Sequence, residues 1–285
     1  MIELLALLSI IGETFLCVMR IKEYIGDGGA KMIKNMNRLS TTLLDGDYQS
    51  VYQQTSEDFQ EMITAAEFIQ LCVDFLQEVT SFTRISTMKM KEYIECQWLA
   101  NDANRGIRAY FSSDGTIGGL QFLSIASYPK TDKAYTRNRY KMPIKEGWMT
   151  FWGGVNELVN YHYPYEGQRY AYDLVMMRDG FSYDGNPDQN ENYYAFGKEV
   201  VAPLDGVVIS LENEVKDNTP TIELNEDQPL GNYIIIKHAH NEYSLLAHFK
   251  QNSLLVSIGD RVKAGDLLGQ CGNLVDRQNR ISIIK

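Results

Sequence analysis

Residues 232–272 read NYIIIKHAHNEYSLLAHFKQNSLLVSIGDRVKAGDLLGQCG. Short apolar runs rich in β-branched residues alternate with polar stretches holding Asn, Asp and Gly, the pattern of strands joined by tight turns. Gly259 and Gly265 bracket Asp260-Arg-Val-Lys-Ala264 and mark two of those turns. His248 follows the apolar run Tyr243–Ala247, which places it at a strand end where a side chain can face a site. The remaining sequence must supply the strands that complete this sheet and whatever surrounds His248.

Upstream, Val200-Val-Ala-Pro and Gly206-Val-Val-Ile-Ser read as further strands. Trp148-Met-Thr-Phe-Trp-Gly-Gly154 reads as a strand ending in two glycines. Tyr161–Tyr165 and Arg169–Met177 are expected to pair as a hairpin around Glu166-Gly167. Arg178–Asn192 is a long polar loop. Tyr128–Pro143, polar and carrying Lys133 and Arg137, is expected to be an interdomain linker.

The first half of the chain has another period. Met32, Ile33, Met36, Leu39, Leu43 and Leu44 recur at the spacing of an amphipathic helix, which Asp45-Gly46-Asp47 ends. A second helix is expected over Tyr48–Gln54. Thr64 and Glu67 have capping-box spacing ahead of Phe68, Leu71, Cys72, Phe75 and Leu76, which sets a third. From about residue 83 the pattern alternates: Arg84–Met90, Tyr93–Leu99, Ile107–Phe111 and Leu120–Ile125 read as strands, with turns at Asn101-Asp102 and Ser113-Asp-Gly115. Helices followed by an antiparallel meander make an α+β domain. With its Leu43-Leu-Asp-Gly-Asp-Tyr48 turn, it resembles the small cone-like domain often found N-terminal in bacterial envelope proteins. The expected organisation is a leader over 1–29, an α+β accessory domain over 30–127, a linker over 128–147 and an antiparallel β domain over 148–285.

Length and composition bound the function. A chain of 285 residues with 44% apolar and 22% charged residues is ordinary globular material, long enough for two cores. A formal charge of −10 without a cluster of Lys and Arg argues against nucleic-acid binding. The four cysteines (Cys17, Cys72, Cys96, Cys271) show no CxxC spacing, so neither a disulfide framework nor a cysteine zinc site is indicated. Leu4–Ile11 is apolar, but Glu3 precedes it and Arg20 and Lys22 follow, the reverse of a secretory signal. The segment also falls short of the roughly 20 apolar residues of a membrane span. It reads as a buried helix or irregular leader, with a weak signal or anchor segment as the alternative.

All four histidines (His162, His238, His240, His248) lie in the second half. His238-Ala-His240 could grip a metal from one strand face, but Asn241-Glu242 follows at once and puts the pair at a hairpin tip with no fixed third ligand. Four segments in order are more specific: Gly197-Lys-Glu-Val-Val-Ala-Pro-Leu-Asp-Gly-Val-Val208, Gly231–Ile236, Tyr243-Ser-Leu-Leu-Ala-His248 and Val256–Asn273. Together they resemble the catalytic domain of lysostaphin/LytM-type zinc endopeptidases, over roughly Trp148 to Asn273. The resemblance implies an antiparallel, barrel-sandwich-like β domain and one zinc held by His, Asp and a second His. It also implies cell-wall peptides as substrate and a place in the cell envelope or outside the cell. Such a zinc lowers the pKa of its bound water to about 7, and a neighbouring imidazole handles the proton.

Carried over residue by residue, the resemblance makes Asp173 the aspartate ligand and His248 the catalytic, non-ligand histidine. The first ligand His is expected four residues before Asp173, but Arg169 stands there, and a guanidinium does not ligate zinc. His162, across the expected hairpin, is the candidate to replace it. The family's closing H-x-H falls, counted without gaps, on Ile281 and Ile283, so the third ligand is missing. Zinc is therefore expected to bind weakly or not at all, with a non-catalytic peptidoglycan- or protein-binding module as the alternative to a peptidase. A lipoyl- or biotinyl-type carrier also uses turns like Ala202–Gly206 and Gly259–Gly265, but no lysine sits at a hairpin tip between them. Aromatics such as Trp152, Tyr161 and Tyr165 either line a substrate groove or pack the sheet.

Overall fold

The computed structural model describes residues 29–145, 147–222, 225, 227–273 and 281–284, and residues 1–28 of the segment expected as a leader lie outside them. The chain forms two compact units, one ending at Ser127 and one beginning at Tyr128.

In the first unit, helices α1 (Gly29–Leu44), α2 (Tyr48–Tyr52), α3 (Glu57–Met62) and α4 (Ala65–Phe75) precede an antiparallel sheet in the order β1 (Phe82–Met90), β2 (Tyr93–Ala100), β3 (Arg105–Ser112), β4 (Ile117–Ser124). The helical period does what its spacing requires: Leu39 and Leu43 of α1 and Phe68, Leu71 and Cys72 of α4 are buried against Cys96, Trp98, Ile107 and Phe111 of the sheet. Thr64 and Glu67 form the capping box at the start of α4, each satisfying the other's backbone N–H. Helix α3, absent from the periodicity, is a single turn and a half held by its Ser56 cap.

The second unit begins with a short helix, α5 (Pro129–Asp132), and apart from two single 3-10 turns its regular structure is antiparallel β. Its strands are β5 (Met149–Trp152), β6 (Tyr172–Val175), β7 (Glu199–Val201), β8 (Gly206–Glu212), β9 (Asn232–Lys237), β10 (Tyr243–Phe249), β11 (Arg261–Val262), β12 (Leu267–Gln270) and β13 (Ile281–Ile284). Seven form one sheet in the order β11-β8-β9-β10-β13-β6-β5, and β12 pairs with β7. The last strand in sequence is thus inserted between β10 and β6. Leu174, Val208, Ile234, Ile236, Leu246, Phe249 and Leu268 form the core beneath.

Two turns repeat one design. Gly259 and Gly265 have φ of +97° and +94°. Each is followed by an aspartate, Asp260 or Asp266, whose carboxylate accepts the backbone N–H three residues earlier, from Ser257 or Lys263. Only glycine adopts that φ without strain, and the aspartate closes the turn from outside.

The stretch expected as a linker, 128–147, is fastened to the second unit. Glu242 accepts from the backbone N–H of Arg137 at 2.5 Å and from the Tyr140 hydroxyl at 3.0 Å, while Val201 N–H donates to the Pro143 carbonyl. The hairpin expected around Glu166-Gly167 does not form. Residues 155–171 hold no strand and fold instead as turns: Tyr163 N–H donates to Asn160 O, Tyr165 N–H to His162 O, Gln168 N–H to Tyr165 O and Ala171 N–H to Gln168 O. Pro164 has no N–H to give a ladder. The buried Asn160 amide, donating to the carbonyls of Gly154 and Arg169, ties both ends of the loop together.

Candidate active site

The site is built on one row of the large sheet. Ala247 pairs with Ser282, Ser282 with Asp173, and Asp173 with Trp152, across β10, β13, β6 and β5. Asp173 therefore occupies the face away from Leu174 and Leu246, which lie in the core. The carboxylate is 0% exposed.

His162 reaches this carboxylate from the turn-built loop rather than from a neighbouring strand. The backbone turns sharply after Trp152. Gly154 has φ of +132°, and a Cβ there would lie 2.7 Å from Val159, so only glycine lets the loop fold back at this corner. His162 N–H then donates to the Asn160 side chain at 3.1 Å, and Tyr161 stacks on the imidazole with ring centres 3.9 Å apart. The outcome is a contact of 3.1 Å between His162 Nε2 and Asp173 Oδ1, with His162 Nδ1 2.8 Å from Gln168 Oε1. His162 is 5% exposed.

With Nδ1–H donating to Gln168, Nε2 presents a lone pair to a carboxylate, which is repulsive unless a cation, either a proton or a metal ion, lies between them. If the Gln168 amide is turned over, Nε2–H donates to Asp173 instead. Two atoms bound to one zinc at about 2.1 Å each lie about 3.4 Å apart at the tetrahedral angle. The pair is therefore spaced like two ligands, with Gln168 as the outer partner that fixes the ring.

The rest of a centre does not assemble around them. Among the described residues, no group of three or more His, Cys, Asp or Glu side chains could hold a metal ion. Arg169, at the position where the resemblance asks for a histidine, is turned away into hydrogen bonds with the Tyr163 carbonyl and the Thr131 hydroxyl. At the C-terminal strand the register puts Ser282 opposite Asp173, whereas Ile281 pairs with Leu174 and Ile283 with Tyr172. Among the described residues, two of the expected ligands, His162 and Asp173, come together and no third joins them.

His248 lies on β10, separated from β6 by β13, so its strand is about 9.5 Å from that of Asp173. It is the extra residue of a β-bulge between Ala247 and Phe249, with φ of +67°. Leu246 and Phe249 both enter the core, so the bulge turns Ala247 and His248 together to the Asp173 face. The strained backbone is held by His248 N–H donating to Leu230 O and by Gly272 N–H donating to His248 O.

The other two histidines do not form a pair. His238 is buried, with Nδ1 2.9 Å from the Asp205 carbonyl and Nε2 2.8 Å from Ser244 Oγ, while His240 is exposed on the hairpin tip. Sequence reasoning did not single out Gln168 or Asn160. Between them the sequence pattern marks only Glu166-Gly167 as a turn.

Residues 192–281 match the model of peptidase family M23. The second unit carries an M23 domain. The match begins after Asp173 and includes His248 and both turn motifs that also suggested a carrier. No curated protein matches the chain. Among solved structures, lysostaphin is 17% identical with a TM-score of 0.25, over 40% of this chain and 34% of that one. This chain thus spans about a third of lysostaphin's length. The catalytic domain of lysostaphin from Staphylococcus simulans is 16% identical with a TM-score of 0.26, over 55% of this chain and 84% of that one. A zinc-containing peptidase from Vibrio cholerae is 13% identical with a TM-score of 0.29, over 79% of this chain and 62% of that one. Superpositions this loose say nothing about the M23 domain's site, which stands on its own geometry. No helix among the described residues is long and apolar enough to cross a membrane.

Proposed function

We propose that the M23 domain engages peptides of the bacterial cell wall, in the cell envelope or outside the cell, and that its hydrolytic chemistry is impaired. The observation that carries this reading is the meeting of His162 with Asp173 on the sheet face beside a register position held by Ser282. A zinc of the family type would be held by His162 and Asp173 and would supply an activated water. Two protein ligands hold such an ion poorly, since a catalytic zinc keeps three. His248, turned to the same face by its bulge, is the imidazole available to handle a proton. The alternative role is that of a non-catalytic module using the same face to bind peptidoglycan or a protein. Metal analysis of the purified chain, with an assay for peptide release from cell walls, tests the reading. The expected result is well under one zinc per chain, no release, and retention of the chain on insoluble cell walls. Stoichiometric zinc with release would establish an intact peptidase, and loss of retention would remove the cell-wall peptide.

A further inference from the structure

We propose that Arg169 is a positioning residue that rivets the His162 loop to the segment Tyr128–Asp132, and that without this rivet the His162–Asp173 contact opens. The inference rests on reading His162 as a site residue, but not on zinc or on a substrate.

Arg169 is 6% exposed, a buried cation that needs its donors satisfied. Its Nε donates to the Tyr163 carbonyl at 2.9 Å, Nη1 to Thr131 Oγ1 at 2.9 Å and Nη2 to the Pro164 carbonyl at 3.5 Å. The guanidinium lies 3.7 Å from the centre of the Tyr128 ring and 5.7 Å from that of Tyr163. The same two pieces of chain are joined twice more. The buried Tyr163 hydroxyl donates to Asp132 and accepts from Tyr128 N–H, and the Tyr170 hydroxyl donates to the Thr131 carbonyl. Burial and the nearby Asp132 carboxylate push the Tyr163 phenol up, so it stays a donor.

Every one of these bonds lands on residues 163–170, immediately after His162 and around its partner Gln168. The loop has no ladder of its own and is held by single turns. A planar fork that binds a carbonyl, a hydroxyl and a ring at once fixes it in a way an ammonium does not. A position that would supply a ligand directly in the resembled family is here spent on holding another residue's approach.

The test is hydrogen exchange by NMR on the full chain, comparing wild type with Arg169→Met, Arg169→Lys, Thr131→Val and Tyr128→Leu. The amides of Tyr163, Gln168 and Ala171 report the loop, and those of Ile234 and Leu246 report the sheet. Arg169→Met is expected to speed loop exchange by roughly 10- to 100-fold, with sheet amides unchanged and smaller effects in the two strap variants. The imidazole nitrogen signal of His162, read at one fixed pH, is expected to move in Arg169→Met and to be restored in part by Arg169→Lys. Unchanged loop amides, equal acceleration of loop and sheet, or a fixed His162 signal would each overturn the proposal. Because no metal or substrate is involved, this result and the zinc and cell-wall assays can fail independently.

Discussion

His162 Nε2 and Asp173 Oδ1 meet at 3.1 Å although only Asp173 lies on a strand, and the histidine is delivered by a loop of turns. The contact joins a locally irregular segment to a buried position on β6. Replacing His162 by Ala removes one partner of a carboxylate that is 0% exposed. The expected loss is about 1–3 kcal/mol of unfolding free energy, read from denaturant titration. Gln168→Ala, at an exposed residue, is expected to cost less than His162→Ala.

The register of β13 gives a test of the metal reading that does not depend on activity. Ser282→His is expected to raise zinc affinity at least about 10-fold by placing an imidazole in the row of Asp173. Ile283→His, at the position reached by counting without gaps, is expected not to, because it pairs with Tyr172 and Leu246. Calorimetric titration with zinc separates the two; equal affinities would remove the register argument.

Gly272 is held by contact with backbone. A Cβ there would come 2.5 Å from Lys250 N and 2.6 Å from Asp217 Oδ1, and its N–H supports the His248 carbonyl. Gly272→Ala is expected to cost about 1–3 kcal/mol. At Gly153 the nearest atoms belong to the side chains of Tyr172 and Thr150, so the Gly153→Ala cost should be smaller. Thermal unfolding of the two variants ranks them.

Burial raises the Asp217 carboxyl above the ordinary aspartate value of 3.8, against the pull of two backbone N–H donors and Lys250. A folded-state pKa above the unfolded one means that the native state holds the proton more tightly. The stability this contributes is full below the unfolded pKa and is lost as pH rises through the folded one. Subtracting the pH–stability curve of Asp217→Asn from that of wild type is expected to show a decline beginning near pH 4 and no rise.

What was legible in the sequence is what local chemistry decides. The apolar spacing of Leu39 and Leu43, the Thr64–Glu67 cap and the two Gly-Asp turns needed only their near neighbours. The hairpin tip at His238-Ala-His240 was readable for the same reason. The loop carrying His162 was not. It is shaped by Asn160 amide bonds and by a rivet to Thr131, which no period announces. The role of Tyr128–Pro143 was equally hidden, because polar residues that mark a linker also serve as partners for a remote carboxylate such as Glu242. The row shared by Asp173 and Ser282 could not be counted from sequence, since register depends on the geometry of the preceding chain.

The placement of β13 has a consequence for how the domain comes into being. Strands β6 and β10 are neighbours in space only through a strand that follows both in the chain. Until β13 is in place, each carries an open edge, and the sheet exists as two fragments not yet joined by a backbone ladder. Such a topology closes late and through contacts distant in sequence, which slows folding. During that interval the exposed edges invite pairing with other chains. The strand that lacks a zinc-binding histidine is thus the one on which completion of the sheet waits.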